Sequence, residues 1–258
     1  YMKSILKNKA LALTFICSTA FADSNNDFAK SHSAYNAKDY ATAETLWSKL
    51  AADGNTAAQY NLALLYEKSE NANTKNFEKA VKWYTEAAVN GHDGAQYNLG
   101  VMYQFGEGVV QDYALALQWY SMAAQSNNAS AKFNLALLYE NGFGTEKNLD
   151  KSLDMLDQAA KQGLPDAQLK LALMKIKGQG VTKNVDEAFK LAQSAATQGS
   201  ANAQFMLGYM YLKGLGTNPD QALAKQWLQR AAHQGQQKAI DLLKGLNGGP
   251  SETFVAKQ

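Results

Sequence analysis

The sequence predicts an all-α solenoid of helix-turn-helix repeats with a 36-residue period, on three observations. The block Ala95-Gln96-Tyr97-Asn98-Leu99-Gly100 returns as Ala131-Lys132-Phe133-Asn134-Leu135-Ala136, then from Ala167, Ala203 and, degraded, Ala239, each step 36 residues. An earlier copy, Ala58-Gln59-Tyr60-Asn61-Leu62-Ala63, precedes Ala95 by 37. Gly106-Glu107-Gly108, Gly142-Phe143-Gly144, Gly178-Gln179-Gly180 and Gly214-Leu215-Gly216 fall between the blocks, followed by Asp112, Asn148, Asn184 and Asp220; Asn76 holds that place in the first complete repeat. Two further columns keep the beat: Trp83, Trp119, Met155, Leu191 and Trp227, and the alanine pairs that begin at Ala87, Ala123, Ala159, Ala195 and Ala231. Self-similarity at such a period marks stacked supersecondary units.

Each element has a physical reason. Ala95, Leu99, Met102 and Tyr103 fall at helical spacing on one side, which marks a first helix, A. The two glycines tolerate positive φ, stop that helix and reverse the chain. Asp or Asn then accepts the free N–H groups of a second helix, B, which runs through Ala116, Trp119 and the Ala123-Ala124 pair. Alanine there lets backbones approach closely. Gly91, Gly163, Gly199 and Gly235 are expected at the C-caps of helix B, and Pro165 in the first turn of the next helix A. No single pair buries its apolar side alone, so neighbours must stack.

Five such repeats occupy residues 56–236. A capping helix pair is predicted over 23–55, with Tyr35, Tyr40, Ala43, Trp47 and Ala51-Ala52 but no Gly-x-Gly loop. A closing helix is expected over 237–246 and a loose tail over 247–258. At the other end, Lys3, Lys7 and Lys9 precede an apolar run from Ala10 to Cys17, then small residues lead to Ala20-Phe21-Ala22. That order reads as a signal peptide over 1–22, so a periplasmic or secreted protein is expected.

Charge and composition exclude several functions. Cleavage after Ala22 removes three lysines and no acid, leaving 22 basic against 23 acidic groups, a formal charge of −1. With Arg230 the only arginine, the clustered positive charge that neutralises phosphates is missing, and nucleic acid is not an expected partner. The apolar content, 46% of the chain, forms no stretch of about 18 residues beyond the N-terminal segment, so no transmembrane helix is expected in the mature chain. Cys17, the only cysteine, leaves with the signal; Phe15 and Ile16 before it do not suit a lipoprotein signal. The mature chain then holds no disulfide and no thiol nucleophile.

The string Ala95-Gln96-Tyr97-Asn98-Leu99-Gly100, with Tyr103, Gly106-Glu107-Gly108-Val109, Asp112, Ala116, Trp119-Tyr120 and Ala123-Ala124, resembles the Sel1-like repeat family. These are relatives of tetratricopeptide repeats with a longer glycine-containing loop. The resemblance covers nearly all of the mature chain. It implies a right-handed superhelix whose concave side is lined by helix A, and a protein-interaction scaffold. Two places depart from the pattern: Ser69-Glu70-Asn71 stand where the first repeat's glycines belong, and Lys175 replaces the helix-A tyrosine.

Cysteine-rich relatives in that family, linked to penicillin binding and β-lactam hydrolysis, imply an alternative, a cell-envelope hydrolase. Serine chemistry of that type needs Ser-x-x-Lys, which occurs only from Ser4 to Lys7, inside the signal. His32, His92 and His233 lie in separate repeats, so no shared metal or catalytic site is expected. The Gly-x-Gly loops follow helices rather than strands and have no lysine at fixed spacing, unlike phosphate cradles. Neither cofactor nor enzymatic activity is expected. Glu67, Glu70, Glu107 and Glu140 read as solvated surface.

The candidate site is the helix-A face. At about 100° per residue, Val101 and Gln104 fall near Tyr97, Asn98 lies at the edge, and Leu99 and Tyr103 point away. Across repeats this wall reads Tyr60, Tyr97, Phe133, Leu169 and Phe205, then Leu64, Val101, Leu137, Leu173 and Tyr209, flanked by Asn61, Asn98 and Asn134. Rings give contact area and amides bond a peptide backbone, so an extended protein or peptide segment, or a cell-envelope component, is the expected partner. Packing between repeats competes for the same rings.

Overall fold

The computed structural model describes residues 25–68 and 76–246. The predicted signal peptide, the tail and Ser69-Glu70-Asn71 lie outside the described residues. Thirteen helices and no strand are found among the described residues. They are α1 (25–36), α2 (Tyr40–Ala52), α3 (Thr56–Lys68), α4 (Phe77–Val89), α5 (Asp93–Phe105), α6 (Tyr113–Gln125), α7 (Ala129–Asn141), α8 (Leu149–Lys161), α9 (Pro165–Lys177), α10 (Val185–Thr197), α11 (Ala201–Lys213), α12 (Gln221–His233) and α13 (Gln237–Leu246). None is long and apolar enough to cross a membrane.

The chain divides into a unit ending at Asn128 and a unit beginning at Ala129. In the first, α3 packs on α4 and α5 on α6 as hairpins, joined by α2 against α3 and α4 against α5. Trp47, Leu50, Leu62, Leu65, Tyr84, Leu99 and Met102 are buried at its centre, with Ala43, Ala80, Ala87 and Ala88 fully enclosed between backbones. The second unit repeats the scheme with α7 on α8, α9 on α10 and α11 on α12, closed by α13. Its core is Leu138, Leu156, Leu171, Met174, Leu207, Met210 and Leu228 with Ala159, Ala188, Ala195 and Ala231.

The caps follow the sequence. Asn76, Asp112, Asn148, Asn184 and Asp220 each accept a backbone N–H from the first turn of helix B. Each also closes the preceding turn with its own amide: Asp112 N donates to Tyr103 O at 2.9 Å and Asp220 N to Tyr211 O at 3.0 Å. Asn76 N donates to Tyr66 O at 2.7 Å, so the same closure forms where the glycines are missing. Pro165 opens α9 at its N-terminus. The glycines expected at the C-caps of helix B sit one residue further: Asn90, Gln162, Gln198 and Gln234 are the caps, and Gly91, Gly163, Gly199 and Gly235 take positive φ after them. Asn127 supplies that conformation after α6, at φ 67.

The second loop glycine has a further task. A Cβ on Gly108 would lie 2.6 Å from the Phe77 carbonyl, one on Gly180 would lie 2.7 Å from Leu149 Cδ2, and one on Gly216 would lie 2.3 Å from Val185 O. Each loop therefore rests on the first turn of helix B in the preceding repeat; at Gly108 and Gly216 the neighbour is backbone and only hydrogen fits, whereas at Gly180 it is the end of the Leu149 side chain.

Candidate functional site

A column of glutamines fixes how one repeat meets the next. Gln59, Gln96, Gln168 and Gln204 are buried one residue after the recurring alanine of helix A. Each side-chain amide donates to a carbonyl near the end of the preceding helix B: Gln59 to Ala51 at 3.2 Å, Gln96 to Ala88 at 3.1 Å, Gln168 to Ala160 at 3.2 Å and Gln204 to Ala196 at 3.3 Å. Three of them also accept from the cap of their own helix B, namely Asn90 at 3.3 Å, Gln198 at 3.1 Å and Gln234 at 2.8 Å. For Gln96 the equivalent cap is Ser126, whose short side chain makes no such bond, and Gln96 Oε1 has no donor. Lys132 holds the corresponding buried place in α7.

That joint sets the stagger of the helix-A faces. In the first unit the Tyr60 ring stacks on His92 at 4.2 Å between centroids and lies 5.8 Å from the Tyr84 ring. Tyr84 donates its hydroxyl to Glu67 Oε2, and Asn98 Nδ2 donates to Tyr84 Oη at 2.9 Å. Burial, then the Glu67 bond, pushes the Tyr84 phenol far up; burial also raises Tyr60, with Glu67 and Asp93 adding to it. Asn61 Nδ2 lies 3.2 Å from His32 Nε2. Tyr97 sits 5.8 Å from Tyr120, whose hydroxyl donates to Gln104 Oε1 at 2.7 Å. His92 Nδ1 caps α5 by accepting from Ala95 N at 3.1 Å, which fixes it as a neutral ring, and burial lowers its pKa.

Tyr60, Asn61, Tyr97, Asn98, Val101 and Gln104 are therefore all half-buried on this face. Rings and amides are partly engaged in packing and partly open. In the second unit Phe133, Asn134, Leu137, Leu169, Leu173 and Phe205 are half-buried and Tyr209 is exposed. Phe205 and Tyr209 lie 6.4 Å apart, and Phe205 packs against the Leu228, Ala231 and Ala239 cluster.

The acids differ from the solvated surface expected of them. Glu67 is half-buried and accepts from Tyr84; Glu140 pairs with Lys170 at 2.7 Å, both side chains little more than a quarter exposed. The two arrangements are versions of one column. Glu67, Gln104 and Glu140 occupy equivalent places, as do Tyr84, Tyr120 and Leu156, and Asn98 and Lys170. With leucine at 156 there is no phenol to relay the contact, and a longer cation reaches the carboxylate directly. Glu107 is exposed and Glu70 lies outside the described residues. Sequence reasoning overlooked the glutamine column and the Tyr84 and Tyr120 hydroxyls; the signal available was recurrence of glutamine at a fixed register beside a buried alanine.

No group of three or more His, Cys, Asp or Glu side chains able to hold a metal occurs among the described residues. What the helix-A faces offer is contact surface and hydrogen-bonding groups.

The sequence matches the Sel1 repeat over residues 56–92, 94–128, 129–164, 165–200 and 201–236. No curated protein matches the chain by sequence. Among solved structures, a Sel1 repeat protein from Oxalobacter formigenes is 34% identical with a TM-score of 0.75, over 80% of this chain and 59% of that one. The protein c5321, a protective antigen of uropathogenic Escherichia coli strains with an SLR fold, is 31% identical with a TM-score of 0.77, over 89% of this chain and 50% of that one. The immunity protein Pa5087 from Pseudomonas aeruginosa is 25% identical with a TM-score of 0.52, over 76% and 72%. The chain thus spans between half and three-fifths of the first two. Five matched repeats, each a helix hairpin, place the chain in the Sel1 repeat family, an all-α solenoid fold that generally serves as a non-catalytic scaffold for protein interactions.

Proposed function

We propose that this chain is an exported scaffold that holds a protein or peptide of the cell envelope, or of the space outside it, against its helix-A faces. The observation that carries the reading is the half-buried state of Tyr60, Tyr97, Phe133 and Phe205 with Asn61, Asn98 and Asn134 beside them. Rings wholly consumed by the core would offer a partner nothing; rings partly held by packing are preorganised, so less side-chain freedom is lost on binding. Family membership supports a binding role. Export rests on the Lys3, Lys7, Lys9, Ala10 to Cys17 and Ala22 pattern alone.

Crosslinking in the native cell, followed by identification of the captured species, tests the binding role. Tyr97→Ala and Phe133→Ala, introduced separately, should each weaken capture while far-UV circular dichroism stays unchanged. Capture insensitive to both substitutions rejects the helix-A face. Export is tested by fusing residues 1–30 to a reporter active only outside the cytoplasm; an inactive fusion rejects it.

A further inference from the structure

His92 does two things at once at the start of α5. Its Nδ1 accepts from Ala95 N at 3.1 Å and so caps the helix, while its ring lies on the Tyr60 ring of α3, 4.2 Å between centroids and 20° from parallel. Gly94 makes room for this: a Cβ there would lie 3.2 Å from His92 Cε1 and 3.4 Å from Tyr60 Cε2. The other hairpins start differently. Asn55, Asn128, Leu164, Ser200 and Gln236 hold the place of His92, and Ala57, Ser130, Asp166 and Asn202 that of Gly94. Asn55 and Gln236 make the same cap, to Ala58 N and Ala239 N, both at 2.9 Å, without a ring. A cap that titrates near neutral pH and also covers an aromatic side chain of the helix-A face thus belongs to one repeat of the series.

We propose that His92 is a proton-operated cover: neutral, it caps α5 and lies on Tyr60; protonated, it swings away, and the first unit's helix-A face then offers that side of Tyr60 to a partner. The proposal rests on the scaffold reading above and adds its regulation. The cap demands a lone pair on Nδ1, and a proton there sets two donors against each other, His92 Nδ1–H and Ala95 N–H. Turning the ring over brings a carbon to the same place, so the flipped ring cannot restore the bond. An imidazolium would also face the positive end of α5. The Tyr60 ring attracts a cation, and so does Asp93, the charged neighbour whose field favours protonation. Neither supplies the missing acceptor, and burial, the largest influence on His92, acts against the charge. A swing into water relieves all three costs. Tyr60 and, behind it, Tyr84 of α4 are the phenols facing the ring; both are raised and stay neutral while His92 titrates. Glu67 acts on this pair through the Tyr84 hydroxyl.

The test uses the full chain with isotope-labelled tyrosine rings, read by NMR, with Tyr60 identified by Tyr60→Phe and a neutral gadolinium chelate as the probe of exposure. Between about pH 7.5 and about pH 5, the Tyr60 signal should shift with the midpoint of the His92 ring proton and broaden more in the chelate, while far-UV circular dichroism stays unchanged. His92→Asn keeps a cap of the Asn55 kind but has no ring, so the signal should stay in its open, broadened state at every pH. His32→Gln, which alters the ring 3.2 Å from the amide of the adjoining Asn61, should leave the titration in place. A Tyr60 signal that does not titrate, that follows His32 instead, or that titrates without gaining exposure overturns the proposal. In permeabilised native cells, crosslinked capture by the wild-type chain should rise between the same two pH values, and capture by His92→Asn should be high at both. Capture that depends on Tyr97 and Phe133 but ignores pH and His92 overturns the regulation and keeps the scaffold. Capture that ignores Tyr97 and Phe133 rejects the scaffold reading, and the regulation falls with it even if the Tyr60 signal shows the cover opening.

Discussion

Lys175 Nζ stands 2.9 Å from Glu187 Oε2, in a repeat where the helix-A tyrosine has become lysine. The same register elsewhere joins a tyrosine to a lysine: Lys79 lies over Tyr66 at 4.9 Å and Lys151 over Tyr139 at 5.3 Å. The departure on α9 is thus matched on α10 by a change of sign. The Lys175 side chain is only 16% exposed, against 49% for Glu187, so losing the acid costs more than losing the base. Glu187→Gln should destabilise the protein by about 1 kcal/mol. The pair Lys175→Tyr with Glu187→Lys should restore most of that, both read from urea midpoints at unchanged slope.

The orphan acceptor at Gln96 points to a stabilising change. Ser126→Gln places an amide where Gln198 and Gln234 serve the equivalent glutamines. A completed bond to a buried acceptor should add about 1 kcal/mol, seen as a higher urea midpoint. No gain, or a loss, would show that the α6 cap does not approach Gln96 as its counterparts do.

Two glycines with positive φ should respond unequally to alanine. Gly199, at φ 95, has nothing within 4 Å of an added Cβ, so only backbone strain of about 1–2 kcal/mol opposes the change. Gly216, at φ 68, would also drive its Cβ into Val185 O at 2.3 Å. Gly216→Ala should therefore cost at least about 1 kcal/mol more than Gly199→Ala in denaturant unfolding.

His92 gives the protein a pH dependence of known sign. Burial holds its folded pKa below the ordinary 6.5, with Asp93 opposing the shift. The unfolded chain then binds the proton more readily, so His92 contributes stability that is complete above 6.5 and is lost as pH falls through the folded value. Protonation also removes the Nδ1 acceptor that caps α5. His92→Asn, which copies the Asn55 cap on Ala58 N at 2.9 Å, should flatten the stability profile between about pH 7 and 5. An unchanged profile would assign the acid sensitivity elsewhere.

The hairpins were legible because their punctuation is local. Asp112, Asn148 and the loop glycines act on backbone groups within a few residues, and their spacing states where each helix begins and ends. The joints were not legible for the opposite reason. Gln59 reads as an exposed amide until Ala51 is brought within 3.2 Å of it, and the acceptor is a backbone carbonyl with no sequence signature. Glu67 and Glu140 looked solvated for the same reason: the Tyr84 hydroxyl and Lys170 come to them from other helices. The helical wheel placed Tyr97 and Val101 together on a face, but half-burial is set by how far one hairpin slides over another.

The contact between the second loop glycine and the foregoing helix B bears on how such chains are cut and respliced. Gly180 is fitted to Leu149 and Gly216 to Val185, so the loop of one hairpin is tailored to its predecessor. A cassette taken from the start of one helix A to the end of its helix B severs that match at both borders. Splicing instead within the loops, just before helix B, carries a helix B together with the following helix A and its glycines. Chimaeras assembled on that frame keep each glycine with the residue it touches.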